Sequence, residues 1–406
     1  PARRSHRGFP RGGKPLLHLF MPFRLPTRVV LEPGCLTRLP EIAAGYADRH
    51  APRRLLLVTD RGLQATGLPE RVRRALASRS LAVNLVDEIE PNPRTTTVDR
   101  WAEEARAAGV TLVVGLGGGS VLDAAKAIAM LVPNGGRCEE YEGKNRAGKP
   151  SLPFLAVPTT CGTGSEVTWV SVLTHQERLW KMSVKGDSMY PDWAFVDADL
   201  VKSLPPTFVS WTGLDALTHA LEATTGRATN PASDALALRA ITLLFRYLHR
   251  AVEDIAGDAE AREGVVQAAT LAGMAFGNAD VAAVHCLSET IGARWDTPHG
   301  LANAVLVAPV LRSHLPAIEA RLAALEPALP GRPTGADDGE RAERFLLSLE
   351  ALVRALRIPR FADLGLPREE HPWIARRAAE NGSNGSNPRP MAAAQYLEIL
   401  TALDPP

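Results

Sequence analysis

The stretch "VTLVVGLGGGSVLDAAKAIAML" (residues 110–131) holds the reading on which the fold turns. It opens with a compact run of β-branched residues and leucine. Three glycines and a serine follow, and then apolar residues recur at helical spacing. A strand, a tight turn and a helix are expected in that order. The same grammar appears on either side. "RLLLVTD" (54–60) is a compact strand ending in Asp60, and "FLAVPTT" (154–160) is a strand running into small polar residues. "DWAFVDADLV" (192–201) is expected to be the last strand of the series. Strands alternating with helices imply a parallel sheet covered by helices on both faces.

The character changes after "SLPP" (203–206), beyond which alanine- and leucine-rich helical patterns take over. "NPASDALALRAITLLFRYLHRAVEDI" (230–255) reads as one long helix, with Asn230 as N-cap and Pro231 in its first turn. The expected organisation is an α/β nucleotide-binding domain over residues 18–206 and an all-helical domain over 207–406. Residues 327–341 are expected to form a surface loop. Residues 1–17 are basic, broken by Gly and Pro and free of acidic side chains. A targeting peptide would need an apolar stretch that they lack, so a disordered tail is the expectation.

The 406 residues are 45% hydrophobic and 22% charged, with a formal net charge of +1. That balance suits a globular protein and gives no bulk charge for nucleic acid or an anionic membrane surface. No uninterrupted apolar run reaches the roughly 18 residues of a membrane span. The four cysteines, Cys35, Cys138, Cys161 and Cys286, make no CxxC pair, and a reducing cytoplasm is the expected setting.

Three stretches carry chemistry. The turn Gly117-Gly118-Gly119-Ser120 between strand and helix brings backbone N–H groups close to a phosphate, although a plain tight turn has the same composition. "PTTCGTGSE" (158–166) places Thr159, Thr160, Thr163 and Ser165 after a second strand, and two such strand ends can cradle a pyrophosphate and a ribose. Asp60, at a third strand end, can accept both ribose hydroxyls of an adenosine and repel a 2′-phosphate; helix capping is its competing role. In the helical half, "GLDALTHALEA" (213–223) sets Asp215 and His219 at i and i+4 on one helical face. The pair alone could share a metal or simply bond to one another. "AVHCLSETIGARWDTPHGLANA" (283–304) adds His285 and His299, completing one carboxylate and three imidazoles, a plausible set for a divalent ion.

"GLGGGSVLDAAK", "PTTCGTGSE", "GLDALTHALE" and "HCLSETIGARWDTPHGLANAV" together resemble the iron-containing (group III) alcohol dehydrogenases, from about residue 22 to the C-terminal "NPRP". The resemblance implies a Rossmann-like N-terminal domain, a helical C-terminal domain and a site in the cleft between them. It implies Fe²⁺, or alternatively Zn²⁺, on Asp215, His219, His285 and His299. It implies NAD(H) contacts at Asp60, Asn92, residues 117–120, Asp123, Thr159, Thr160, Thr163 and Lys181, and a homodimer or larger homo-oligomer acting on a small alcohol or aldehyde. Two positions depart from the family's pattern. Glu289 replaces a second histidine that lies near nicotinamide and substrate, where it could relay a proton or orient a ligand histidine. Cys161 replaces a commoner alanine and is expected to be structural. Related outcomes on this fold include glycerol dehydrogenase-like, dehydroquinate synthase-like and maleylacetate reductase-like chemistry. A non-catalytic nucleotide- or metal-binding protein is the alternative of another class. Some relatives reduce phosphonoacetaldehyde to 2-hydroxyethylphosphonate in phosphonate biosynthesis. An anionic substrate of that kind needs cations in the cleft, for which Arg294 and Lys181 are the sequence's candidates.

Overall fold

The computed structural model describes residues 23–47, 53–331 and 337–404. The N-terminal half contains nine strands: β1 (Arg28–Leu31), β2 (Arg54–Val58), β3 (Ala82–Val86), β4 (Leu112–Gly117), β5 (Gly143–Lys144), β6 (Phe154–Pro158), β7 (Val170–His175), β8 (Trp180–Lys185) and β9 (Trp193–Val196). Six form a parallel sheet in the order β1-β9-β6-β4-β2-β3. Helices α1 (Leu39–Ala47), α2 (Arg61–Gln64), α3 (Leu68–Ala77), α4 (Thr95–Ala107) and α5 (Gly119–Asn134) join these strands.

Period-two alternation divides the sheet between two cores. Leu55 and Leu57 of β2 pack with α1 and α3, while Leu56 and Val58 pack with α4 and α5. Strands buried on both faces read as continuous apolar runs, which is why β2, β4 and β6 stand out in the sequence. The chain leaves β2 for β3 on one side, then crosses to β4 on the other. The β2/β4 boundary is therefore the topological switch point, and its carboxyl ends open the crevice that binds ligands in such sheets. Asp60 follows β2 there, and the glycine turn follows β4.

The strand expected over 192–201 is shorter. Its second half is a 3₁₀ turn over Ala198–Val201, capped by the Asp197 carboxylate on Asp199 N. β7 and β8 form an antiparallel hairpin to which β5 adds a parallel edge. This small sheet reaches from the α/β half to the helical half.

From Pro206 onward the described residues are helical: α6 (Pro206–Thr225), α7 (Pro231–Asp254), α8 (Ala259–Phe276), α9 (Ala283–Trp295), α10 (His299–Leu325), α11 (Asp338–Ala355), α12 (His371–Glu380) and α13 (Ala393–Leu403), with short 3₁₀ turns between them. Residues 213–225 of α6 are buried on every side, so it is the central helix, with α7, α8 and α10 packed around it. Asn230 caps α7 through Ala232 N and Ser233 N, with Pro231 at its first position. The segment expected as a loop over 327–341 ends earlier, because Asp337 caps α11 through Glu340 N. α10 is long and apolar enough to cross a membrane by length and composition, but 61% of its most apolar window is buried within the protein. It is a core helix. The basic tail of residues 1–17 lies outside the described residues.

Candidate active site

A cleft of about 1890 Å³ runs between the two halves. That is larger than a pocket for one small molecule needs and leaves room for a dinucleotide beside a small substrate. Asp60, Asn92, Gly118, Gly119, Ser120, Asp123, Thr159, Thr160, Thr163 and Lys181 line it, with Asp215, His219, His285, Glu289 and His299. Gly117 lies just behind, as the last residue of β4.

The nucleotide end is built from two turns pressed together. Gly118 caps the 16-residue α5 with no side-chain hydrogen bond, so the first N–H groups of α5 are not capped by a side chain and remain for an anion. Thr159 N donates to Gly117 O at 3.0 Å and joins the two turns. A Cβ on Gly119 would lie 2.5 Å from Thr163 Cγ2, so only glycine allows this approach. Below them Lys126 is almost fully buried. It donates to Ser165 O, Ser165 Oγ, Thr168 Oγ1 and Val170 O at 2.7 to 3.3 Å. These acceptors offset the several kcal/mol that burying an unpaired ammonium costs. Burial still lowers its pKa to about 8.

Asp123 accepts from Ser165 Oγ at 2.6 Å and Val172 N at 2.9 Å, so its carboxylate ties the second turn and β7 to α5. Asp60 caps α2, accepting from Leu63 N at 2.8 Å on Oδ1. Its Oδ2 has no bonded partner among the described residues. The capping role is therefore present, and it leaves one oxygen at the cleft.

Asn92 and Lys181 form a seam. Lys181 Nζ donates to Asn92 Oδ1 at 2.6 Å, and Asn92 Nδ2 donates to Asp296 Oδ1 at 3.0 Å and Thr297 O at 3.4 Å. Arg94 pairs with Asp296 at 2.6 Å. These bonds hold the 296–297 turn that delivers His299. Burial lowers the Lys181 pKa to about 8.

At the other end Asp215 and His219 project from α6, His285 from α9, and His299 from the first turn of α10. Their four donor atoms lie within 4.8 Å of one another. Asn303 Nδ2 sits 2.7 Å from Asp215 Oδ1, 3.1 Å from His285 Nε2 and 3.2 Å from His299 Nε2. One atom reaching three of the donors shows that their lone pairs converge on one place. Burial lowers the His219 pKa to about 4 and pushes His299 the same way. The neutral imidazole is the form that binds metal. Burial works against the Asp215 carboxylate, but the surrounding imidazoles more than offset it and hold its pKa below the usual value. Three nitrogens and one carboxylate oxygen fit a divalent first-row metal such as iron.

His285 Nδ1 lies 2.6 Å from Glu222 Oε2. Glu222 also accepts from Ala282 N at 2.8 Å and Val284 N at 2.7 Å, at the start of α9. One buried carboxylate thus caps α9 and orients a ligand histidine. Burial depresses the His285 pKa, and the Glu222 contact overrides this and raises it. The orienting role considered for Glu289 belongs to Glu222. Glu289 instead accepts from Asn381 Nδ2 at 2.6 Å, and burial raises its pKa against the charges of His285, Lys181 and Lys185.

Glu222 and Asn303 are functional candidates that the motif reading omits. Both signals are helical spacing: Glu222 is i+3 from His219, and Asn303 is i+4 from His299. Arg294 is a correction in the other direction. It pairs with Glu370 and stacks on Trp295 and Trp373, away from the cleft lining. It follows His285 by nine residues, which at about 100° per residue puts it on the opposite face of α9. Cys161 is fully buried against Thr212, and burial raises its pKa to about 11, so it is an unreactive packing residue.

Residues 26–198 match the iron-containing alcohol dehydrogenase family, and residues 209–403 match the C-terminal region of the same family. The chain belongs to the iron-containing alcohol dehydrogenase family. It is an oxidoreductase acting on CH–OH groups. It is 34% identical to the NAD-dependent methanol dehydrogenase of Bacillus methanolicus, over 93% of this chain and 98% of that one. Its fold matches a 1,3-propanediol oxidoreductase with a TM-score of 0.89 and 32% identity, over 95% of this chain and 100% of that one. It also matches the sulfoacetaldehyde reductase of Bifidobacterium kashiwanohense in complex with NAD+, with a TM-score of 0.82 and 27% identity, over 95% and 99% of the two chains. The donor cluster and the two-turn cradle suit iron and a nicotinamide dinucleotide, the cofactor pair of this family of dehydrogenases.

Proposed function

We propose that this dehydrogenase interconverts a small aldehyde and its alcohol, with iron on Asp215, His219, His285 and His299 and NAD(H) along the two-turn cradle. The observation that carries the reading is the convergence of those four donors at one end of a cleft whose other end is a helix N-terminus without a side-chain cap. When bound, the metal supplies Lewis acidity toward the substrate oxygen and the dinucleotide supplies the hydride.

The chain's residues do the rest. Residues 117–120 with Thr159, Thr160 and Thr163 seat the phosphates and a ribose. Asp60 takes ribose hydroxyls on its free oxygen and disfavours a 2′-phosphate. Asn92 and Lys181 hold the turn before His299 and face the nicotinamide end. Glu222 keeps His285 in one tautomer, with Nδ1–H spent and Nε2 toward the donor cluster. Glu289 exchanges a proton with the substrate oxygen, through water or a ribose hydroxyl. Its raised pKa brings it nearer to neutrality, where such a group works best.

The finer reading is an aldehyde with an anionic group, and phosphonoacetaldehyde, reduced to 2-hydroxyethylphosphonate, is the compound to test first. The likeness to a sulfoacetaldehyde reductase supports it. The same reading takes the chain as a cytoplasmic homodimer or larger homo-oligomer. Four buried cysteines, all free, suit a reducing compartment.

The test is loss of reduced-nicotinamide absorbance by the purified, iron-reconstituted chain over a panel of aldehydes, together with its metal content. Metal-dependent turnover of at least one aldehyde, lost along with the metal in His285→Ala, is expected. Undiminished metal and turnover in that variant would refute the ligand set. Glu289→Gln and Glu289→His should keep full metal, and the Gln variant should flatten the pH–rate profile. Loss of metal from Glu289→Gln would place Glu289 among the ligands instead.

A further inference from the structure

β8 presents Lys181, Ser183 and Lys185 to the cleft, as period-two alternation requires. β5 lies parallel to it with Lys144 directly opposite Lys185, and Lys144 also lines the cleft. Two lysines therefore stand at paired positions on one wall. Like charges opposite one another weaken a sheet, and the Trp169 ring beneath Lys144 and the buried Glu289 near Lys185 offset this without forming an ion pair. Neither lysine forms an ion pair or hydrogen bond among the described residues, and the acid whose charge reaches Lys185 is the buried Glu289. Neighbouring cations are engaged: Arg94 with Asp296, and Lys181 with Asn92. The nearby acids are engaged too. Asp280 accepts from Ser383 and Ser386, and Glu289 accepts from Asn381.

The pair stands away from the phosphate turn. Lys185 is four residues beyond Lys181, about 13 Å at strand rise. Opposite Ser183 is Val172, whose N–H meets Asp123. Opposite Lys185 is Val170, whose carbonyl meets Lys126, about one helical turn further from the glycines. On its other side the pair abuts the metal half. Lys144 lies over the Trp169 ring at 4.9 Å, the Trp169 indole donates to Gly277 O at 3.0 Å, and the adjacent Phe276 stacks on His219 at 4.3 Å.

We propose that Lys144 and Lys185 form a subsite for an anionic group on the substrate, so that the preferred aldehyde is a small one ending in a phosphonate, sulfonate or carboxylate. This rests on the aldehyde-reductase reading above and assigns the substrate's charge to two residues that no motif singles out. Trp169 keeps Lys144 in place, and Lys185, half-buried, provides the less hydrated contact. Charge-assisted hydrogen bonds to both would fix the far end of the substrate and leave its carbonyl for the metal half.

The experiment compares wild type, Lys185→Met, Lys144→Met and Lys185→Arg, all iron-reconstituted. Turnover is measured with phosphonoacetaldehyde and with propionaldehyde as its neutral counterpart. Calorimetric binding of 2-hydroxyethylphosphonate to the NAD+-loaded protein is measured in parallel. Wild type should favour the anionic aldehyde in kcat/KM. Lys185→Met should raise the KM for phosphonoacetaldehyde about tenfold or more, with little change in kcat, and leave propionaldehyde within about twofold. Lys185→Arg should recover most of the loss. Equal loss on both aldehydes, or a wild type that prefers the neutral one and does not bind 2-hydroxyethylphosphonate, overturns the subsite. Turnover of neutral aldehydes alone would leave the reductase reading standing without it. If no aldehyde is reduced, the reductase reading fails, and calorimetry on the lysine variants still decides whether the anion binds here.

Discussion

His285 Nδ1 and Glu222 Oε2 stand 2.6 Å apart, and each side chain is 3% exposed. A carboxylate behind a ligand imidazole fixes the ring's orientation and raises its basicity, and losing such a partner costs about 10–100-fold in metal affinity. Glu222→Gln should weaken iron binding by that factor, measured by competition with a chelator, while the four ligands remain. Unchanged affinity would confine Glu222 to capping α9.

Asp60→Asn separates two roles. The amide oxygen can still cap α2 through Leu63 N, but the charge is gone. NADP(H) should close most of the gap to NAD(H) in kcat/KM, with little change in thermal midpoint. Equal use of both cofactors by the wild type would remove the ribose role.

Gly119→Ala puts a methyl 2.5 Å from Thr163 Cγ2. Overpacking of this kind costs about 1–3 kcal/mol, and forcing the turns apart should raise the KM for NADH by about tenfold or more. Thr163→Ser removes the methyl that is struck, so the double variant should recover part of the loss. A double variant no better than Gly119→Ala would show that the Thr163 contact is not the cause.

Burial holds the His219 pKa near 4, against about 6.5 in an unfolded chain. As pH falls below 6.5 the unfolded chain takes up a proton that the folded one refuses. The contribution to stability is thus full above 6.5 and drains away as pH falls through about 4, on the order of 2–3 kcal/mol. Denaturant unfolding of the metal-free protein from about pH 7 to about pH 4 should show this slope. His219→Asn should be flatter by about one proton. An identical slope in the variant would assign the acid lability elsewhere.

The parts of the fold most legible in the sequence are those that bury both faces. β2, β4 and β6 are uninterrupted apolar runs, and the glycine turn punctuates one of them. β3 shows an exposed and half-buried alternation, and the β7–β8 hairpin mixes Thr, His, Lys and Trp with aliphatic residues, so neither has an apolar run to mark it. The four metal candidates were legible because histidine is scarce and their helical spacing is distinctive. Glu222 and Asn303 were not, since a carboxylate or amide on a helix normally faces water. Only the packing of α9 and α10 around α6 buries these two. The Lys144–Lys185 pairing depends on strand register across 41 positions, which no local pattern encodes.

The 158–166 turn and helix α8 meet backbone to backbone. A Cβ on Gly164 would lie 2.4 Å from Gly273 Cα, and one on Gly273 would lie 2.7 Å from Gly164 Cα. With no side chain between them, there is no layer that could slide or swell. The α/β half and the helical half therefore touch here by a contact that does not depend on the peptide link near Pro205 and Pro206. A chain cut at that link should stay together as a nicked but intact body, and neither fragment should be soluble without the other to cover the apolar core that the two halves share.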